Sequence, residues 1–60
     1  MATCRDGNGD TWRIYQSGTD WRWQRTASNG KVVGASTESY RNKADCIANA
    51  RRHGMSCNPI

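Results

Sequence analysis

WRWQRTASNGKVVGAS, residues 21–36, holds the pattern that decides the fold. It opens in strict alternation, with Trp21 and Trp23 on one side of an extended chain and Arg22 and Gln24 on the other. Asn29-Gly30 interrupts the run, and Lys31 to Ser36 resumes it. Asn-Gly is the strongest short hairpin signal, because a two-residue turn of the matching twist needs positive φ at both corners. Such a turn pairs Ser28 with Lys31, Ala27 with Val32 and Arg25 with Gly34. Paired residues share a face. One face therefore collects Trp21, Trp23, Arg25, Ala27, Val32, Gly34 and Ser36; the other collects Arg22, Gln24, Thr26, Val33 and Ala35. The first carries the large aromatics and is the expected core face. An arginine there must reach water, stack on a tryptophan or pair with an acid, because an unpaired buried charge is costly.

Working outward, TWRIYQ (residues 11–16) alternates in the same way. Trp12 and Ile14 face one side, and Arg13 and Tyr15 the other, as in a half-buried strand. Ser17-Gly18-Thr19-Asp20 has turn chemistry. After a connection over residues 37–41, Asn42-Lys-Ala-Asp45 reads as a helix start: Asn42 suits the N-cap, and the Asp45 carboxylate suits the N-terminal dipole. The helix runs from about Lys43 to His53 and stops at Gly54, a typical C′ residue. Ala44, Ile47, Ala48 and Ala50 form a narrow stripe of small and apolar residues, with Cys46 beside it. MSCNPI, residues 55–60, suffices for one edge strand or a docking tail. The expected class is α+β: a three-stranded antiparallel meander packed on one C-terminal helix, with a short tail or strand that a homodimer can swap.

Residues 1–10 are polar and glycine-rich and read as a flexible N-terminal arm, leaving 11–60 as one β-β-β-α(-β) domain. Asp6-Gly-Asn8-Gly-Asp10 has the alternating oxygen donors that open a calcium loop. That loop needs Gly at its sixth position and Glu at its twelfth. Those positions hold Thr11 and Ser17, so a plain turn is the better reading.

Composition narrows the rest. A chain of 60 residues hides only about 60% of the surface its unfolded form exposes. It has no Phe and no Leu, so three Trp and two Tyr must supply much of the core. Small domains are completed by disulfides, metals or association, and association is favoured here. Cys4, Cys46 and Cys57 are an odd set, which argues for reduced thiols in a cytoplasmic protein, with a Cys46–Cys57 bridge as the alternative. No metal-ligand spacing is present, and His53 stands alone. No stretch is apolar enough for a signal peptide or a membrane span. The net charge of +4 permits weak attraction to polyanions but has no long basic run.

The combined string Trp12-x-Ile14-Tyr15, Trp21-Arg22-Trp23, Ala27-x-Asn29-Gly30, Ser36, Tyr40 and Asn42-Lys43-Ala44 resembles the YegP-like family of small domains of unknown function. The resemblance covers about residues 11–53. It implies a β-β-β-α unit followed by a C-terminal strand, and units that pair by exchanging that strand. A one-unit chain is then expected to be a homodimer, with residues 55–60 reaching the partner's sheet. Two departures stand out: Arg25 occupies a position that is usually apolar, and Pro59 interrupts the tail. The family has no established catalytic residues.

Function follows by elimination. A catalytic site needs a nucleophile beside a base, paired carboxylates or a metal cluster, and none is evident. No cofactor motif is present. The leading expectation is a non-enzymatic homodimeric module that binds a protein partner. The alternative is weak, salt-sensitive nucleic-acid binding through Arg13, Tyr15, Trp21, Arg22 and Lys31, with Tyr40 and Arg41 nearby.

Overall fold

The computed structural model describes residues 2–60. It is a small α+β domain: strands β1 (Ala2–Arg5), β2 (Thr11–Ser17), β3 (Asp20–Thr26) and β4 (Val32–Ala35), then helix α1 (Lys43–Arg52). The strands form one antiparallel sheet in the order β1-β2-β3-β4. The sheet thus has four strands where the alternation pattern predicts three. The added strand comes from the segment read as an arm: Ala2, Thr3, Cys4 and Arg5 pair with Ile14, Arg13, Trp12 and Thr11.

Two hairpin loops of the same build explain this. In residues 27–31, Gly30 N–H donates to Ala27 O at 2.9 Å and Ala27 N–H to Lys31 O at 2.7 Å. In residues 6–10, Gly9 N–H donates to Asp6 O at 3.1 Å and Asp6 N–H to Asp10 O at 2.9 Å. Gly9 and Gly30 sit at φ +84° and +89°, and among the described residues none other than glycine has positive φ. Each loop is a four-residue turn whose last residue is a left-handed glycine, the usual three-residue hairpin loop. The expected two-residue turn at Asn29-Gly30 is therefore corrected, since only its glycine is left-handed. Thr26 pairs with Val32, a bulge follows at Val33, and the register returns to Arg25–Gly34 as expected. Val32 consequently leaves the core face, and Val32 and Val33 are each 56% exposed.

One sheet face is covered by α1. Trp12, Ile14, Trp23, Ala2, Cys46, Ala50 and Met55 form the buried core. Trp12 and Trp23 lie 5.4 Å apart between ring centroids, in a tilted arrangement that suits the aromatic quadrupoles. The buried face of α1 centres on Cys46 and Ala50, one turn apart; Ile47 is half-buried, while Ala44 and Ala48 are exposed. Small residues are needed because the indoles fill the space between helix and sheet. At the helix start, Asn42 holds the N-cap position, but its side chain donates to Asp45 Oδ2 at 3.3 Å instead of accepting a backbone N–H. At the end, Met55 N–H donates to Ala50 O and Gly54 N–H to Arg51 O, each at 3.1 Å. This is the Schellman closure, with Gly54 at φ +112° and buried Met55 returning to the core.

The tail closes on its own chain. Thr3 and Ile60 exchange both backbone hydrogen bonds at 3.2 Å, on the outer edge of β1. Arg51 holds the approach, donating to Cys57 O at 3.4 Å and to Asn58 Oδ1 at 2.8 Å. Cys4 and Cys57 form a disulfide, and Cys46 is a free, buried cysteine. The expectations of reduced thiols and of a Cys46–Cys57 bridge are both corrected. Cys46 points into the core from α1, whereas Cys4 lies on β1 beside the returning tail.

Candidate binding face

Two groups of polar side chains stand out, one on each side of the sheet. On the covered side, the fate of Arg25 is settled by the first hairpin loop. Its Nε and Nη2 donate to Asp10 Oδ2, each at 2.7 Å, and its guanidinium lies 4.9 Å from the Trp12 ring centroid. Asp6 lies behind this pair. Its Oδ2 accepts the Trp12 indole N–H at 2.8 Å, and its Oδ1 accepts the backbone N–H groups of Asn8 and Asp10. The Trp12 hydrogen bond holds the Asp6 carboxyl below its ordinary range against the opposing effect of burial, helped by the two backbone donors and by Arg25. The loop carboxylates are thus directed onto Trp12 and Arg25. Among the described residues, no group of three or more His, Cys, Asp and Glu is placed to hold a metal ion.

This cluster sets an acid limit on the fold. A carboxyl with a lowered folded pKa stabilises above its unfolded value, near 3.9, and loses that contribution as pH falls through the folded value. The melting temperature is expected to be flat from neutral pH to about pH 5 and to fall below pH 4. Asp6→Asn should melt lower at neutral pH and show a shallower acid decline. Parallel profiles for the two proteins, recorded by circular dichroism, would remove Asp6 as the cause.

The other sheet face is uncovered. Cross-strand register builds it row by row: Tyr15 beside Arg22; Thr3, Arg13, Gln24 and Ala35; then Arg5, Thr11, Thr26 and Val32. Arg13 sits at the centre. Arg22 is its diagonal neighbour on β3 and Arg5 its diagonal neighbour on β1, and such diagonal neighbours in an antiparallel sheet are about 7–8 Å apart. The three arginines form a line across three strands. The Arg13 guanidinium stacks on the Tyr15 ring, 4.9 Å from its centroid. The acids are almost all elsewhere. Asp6 and Asp10 serve the covered side, and Glu38 and Asp45 line a shallow cleft beside α1. The exception is Asp20, which lies on this face opposite Ser17, one row beyond Arg22, where its carboxylate accepts the Ser39 hydroxyl at 3.0 Å.

The residues singled out from the sequence divide accordingly. Arg13, Tyr15 and Arg22 come together on the uncovered face. Lys31 is exposed in the second hairpin loop, and Arg41 is exposed ahead of α1. Trp21 and Tyr40 belong to the covered side. They exchange backbone hydrogen bonds as an isolated bridge and pack against the core, and Lys43 Nζ lies 5.5 Å from the Trp21 ring centroid. Arg5 was not foreseen, because the segment 1–10 reads as an arm. The signal was present in Asn8-Gly9, the same dipeptide as Asn29-Gly30.

His53 and Cys46 show how little of the remaining chemistry is free. The exposed His53 ring lies 5.2 Å from the Trp23 ring, and burial pushes the Cys46 thiol up. Among the described residues, no helix is long and apolar enough to cross a membrane. No family model, curated protein or solved structure matches the chain.

Proposed function

We propose that this chain is a small non-enzymatic binding module whose uncovered sheet face holds a polyanionic partner. The observation that carries the reading is the Arg22–Arg13–Arg5 line, with four of the five acidic side chains off this face and Asp20, beyond its Arg22 end, bonded to Ser39. Guanidinium groups fork onto carboxylate or phosphate oxygens, and on an exposed face such contacts weaken with salt. The hydrogen-bonded state of Asp6, Asp10 and Arg25 and the burial of Cys46 support the absence of catalysis.

The test is retention on immobilised heparin. The native chain should bind at low salt and elute as salt rises. Arg13→Glu/Arg22→Glu should flow through with its melting temperature nearly unchanged, because both side chains lie outside the core. Arg41→Glu/Arg52→Glu, the same charge change elsewhere, should elute close to the native protein. Equal losses in the two variants would show that net charge, not this face, governs retention.

A second reading is a homodimeric protein-interaction module, in keeping with the resemblance to YegP-like domains and the strand-strand-strand-helix order of β2 to α1. It is favoured by Val32 and Val33, side by side on a terminal strand whose outer edge has no partner among the described residues. A second copy can add its β4 there, or two copies can exchange residues 55–60. Sedimentation equilibrium followed by non-reducing electrophoresis separates these forms. Only exchange carries the Cys4–Cys57 bond between chains. That disulfide also supports an oxidising compartment over the cytoplasm.

A further inference from the structure

We infer that the polyanion is a single-stranded nucleic acid, its backbone lying along the Arg22–Arg13–Arg5 diagonal and one base stacked on the Arg13–Tyr15 pair. This rests on the polyanion reading above and adds the chemical class of the partner. Charge alone would suit any polyanion. The added feature is the aromatic beside the line, opposite Arg22 and under the central Arg13 guanidinium. Tyr15 is half-buried, and its ring already carries the Arg13 guanidinium 4.9 Å from the centroid. Tyrosine rings and arginine planes are both stacking surfaces for unpaired bases. A carboxylate polymer or an inorganic phosphate chain has nothing to place there.

The rest of the face agrees. Thr3, Thr11, Thr26 and Gln24 fill the positions around Arg13 and Arg5. They offer neutral donors and acceptors for sugar and base edges and no charge to repel a phosphate. A duplex is disfavoured by shape. Sequence-reading in a duplex requires a helix or ribbon to enter a groove. Here the arginines and Tyr15 lie on the broad side of the sheet, while α1 packs on the opposite side.

The experiment uses the full chain and fluorescence anisotropy with short labelled oligo(dT) and oligo(U), competed by inorganic polyphosphate and by polyglutamate. Three phosphate contacts on a single strand give a slope of log affinity against log salt of about −2. Arg5→Ala, Arg13→Ala and Arg22→Ala should each reduce that slope by about 0.7. Tyr15→Leu keeps an apolar side chain on the strand but has no π face. It should weaken oligonucleotide binding by about tenfold and leave polyphosphate competition unchanged, while Tyr15→Phe binds as the native chain does. Thermal melts of every variant confirm folding.

If Tyr15→Leu changes neither ligand, or changes both equally, base stacking is overturned while the polyanion reading stands. If polyglutamate outcompetes the oligonucleotides, the partner is an acidic protein and the inference is lost. If no polyanion binds at low salt, both readings fall together.

Discussion

Trp23→Ala is expected to unfold the domain. The indole is almost fully buried and meets Trp12 on one side and His53 on another. Its Nε1–H donates to Asn49 Oδ1 at 2.8 Å, joining β3 to α1. Truncating a buried aromatic to alanine costs about 3–5 kcal/mol. A domain of this size has roughly 3–9 kcal/mol in total, so the loss is comparable with everything that holds it folded. The chain has no Leu or Phe to take up the space. Trp23→Phe separates packing from the hydrogen bond and should melt between the native and alanine forms. Trp21→Ala should be far milder, because Trp21 is only half-buried under Lys43. A native melting temperature for Trp23→Ala would mean that the sheet and helix are held by something other than this indole.

Loss of the Cys4–Cys57 bond should have an effect of similar size. The two residues are 53 apart, and joining them removes most of the loop freedom of the unfolded chain. Chain-entropy arguments put this at about 4 kcal/mol. At roughly 4–8 °C per kcal/mol for a domain this small, Cys4→Ser/Cys57→Ser should melt on the order of 20 °C lower. Cys46 supplies an independent readout. It is fully buried in the folded chain, and in the double variant it is the one remaining thiol. A thiol reagent should label it slowly in the native protein and quickly in the variant. Unchanged melting and labelling would show that the core stands without its cross-link.

The residues themselves explain which parts of this architecture could be read in advance. β2 and β3 were legible because tryptophan and isoleucine alternate with polar residues, and Gly54 marked the helix end through its left-handed backbone. The uncovered face followed from the same alternation, which placed Arg13, Tyr15 and Arg22 opposite the core. β1 was not legible by periodicity: Ala2-Thr3-Cys4-Arg5 has no large apolar residue. Its strand character comes from pairing with β2, from burial of Ala2 and from the bond at Cys4. All three depend on distant residues. Arg25 illustrates the same limit from the other side. Its anomaly was visible in the sequence, but its partner Asp10 belongs to a loop that exists only once β1 has formed. Trp21 lies at the edge of the covered face, as the alternation expects, whereas the place of Tyr40 could not be read, because the strand-like return of residue 40 onto β3 is a single bridge with no pattern to announce it.

The pairing of Thr3 with Ile60, secured next door by the disulfide, makes the polypeptide nearly a ring. The described chain ends meet on the outer side of β1, one strand to the side of β2 and toward the sheet end that carries the β2–β3 turn at Gly18-Thr19. A ring of this kind has no privileged starting point. Its ends can be joined and the chain opened at that exposed turn while each strand keeps its neighbours. The same geometry suits it to being carried inside a loop of a larger protein, since host segments entering and leaving would meet at adjacent backbone positions.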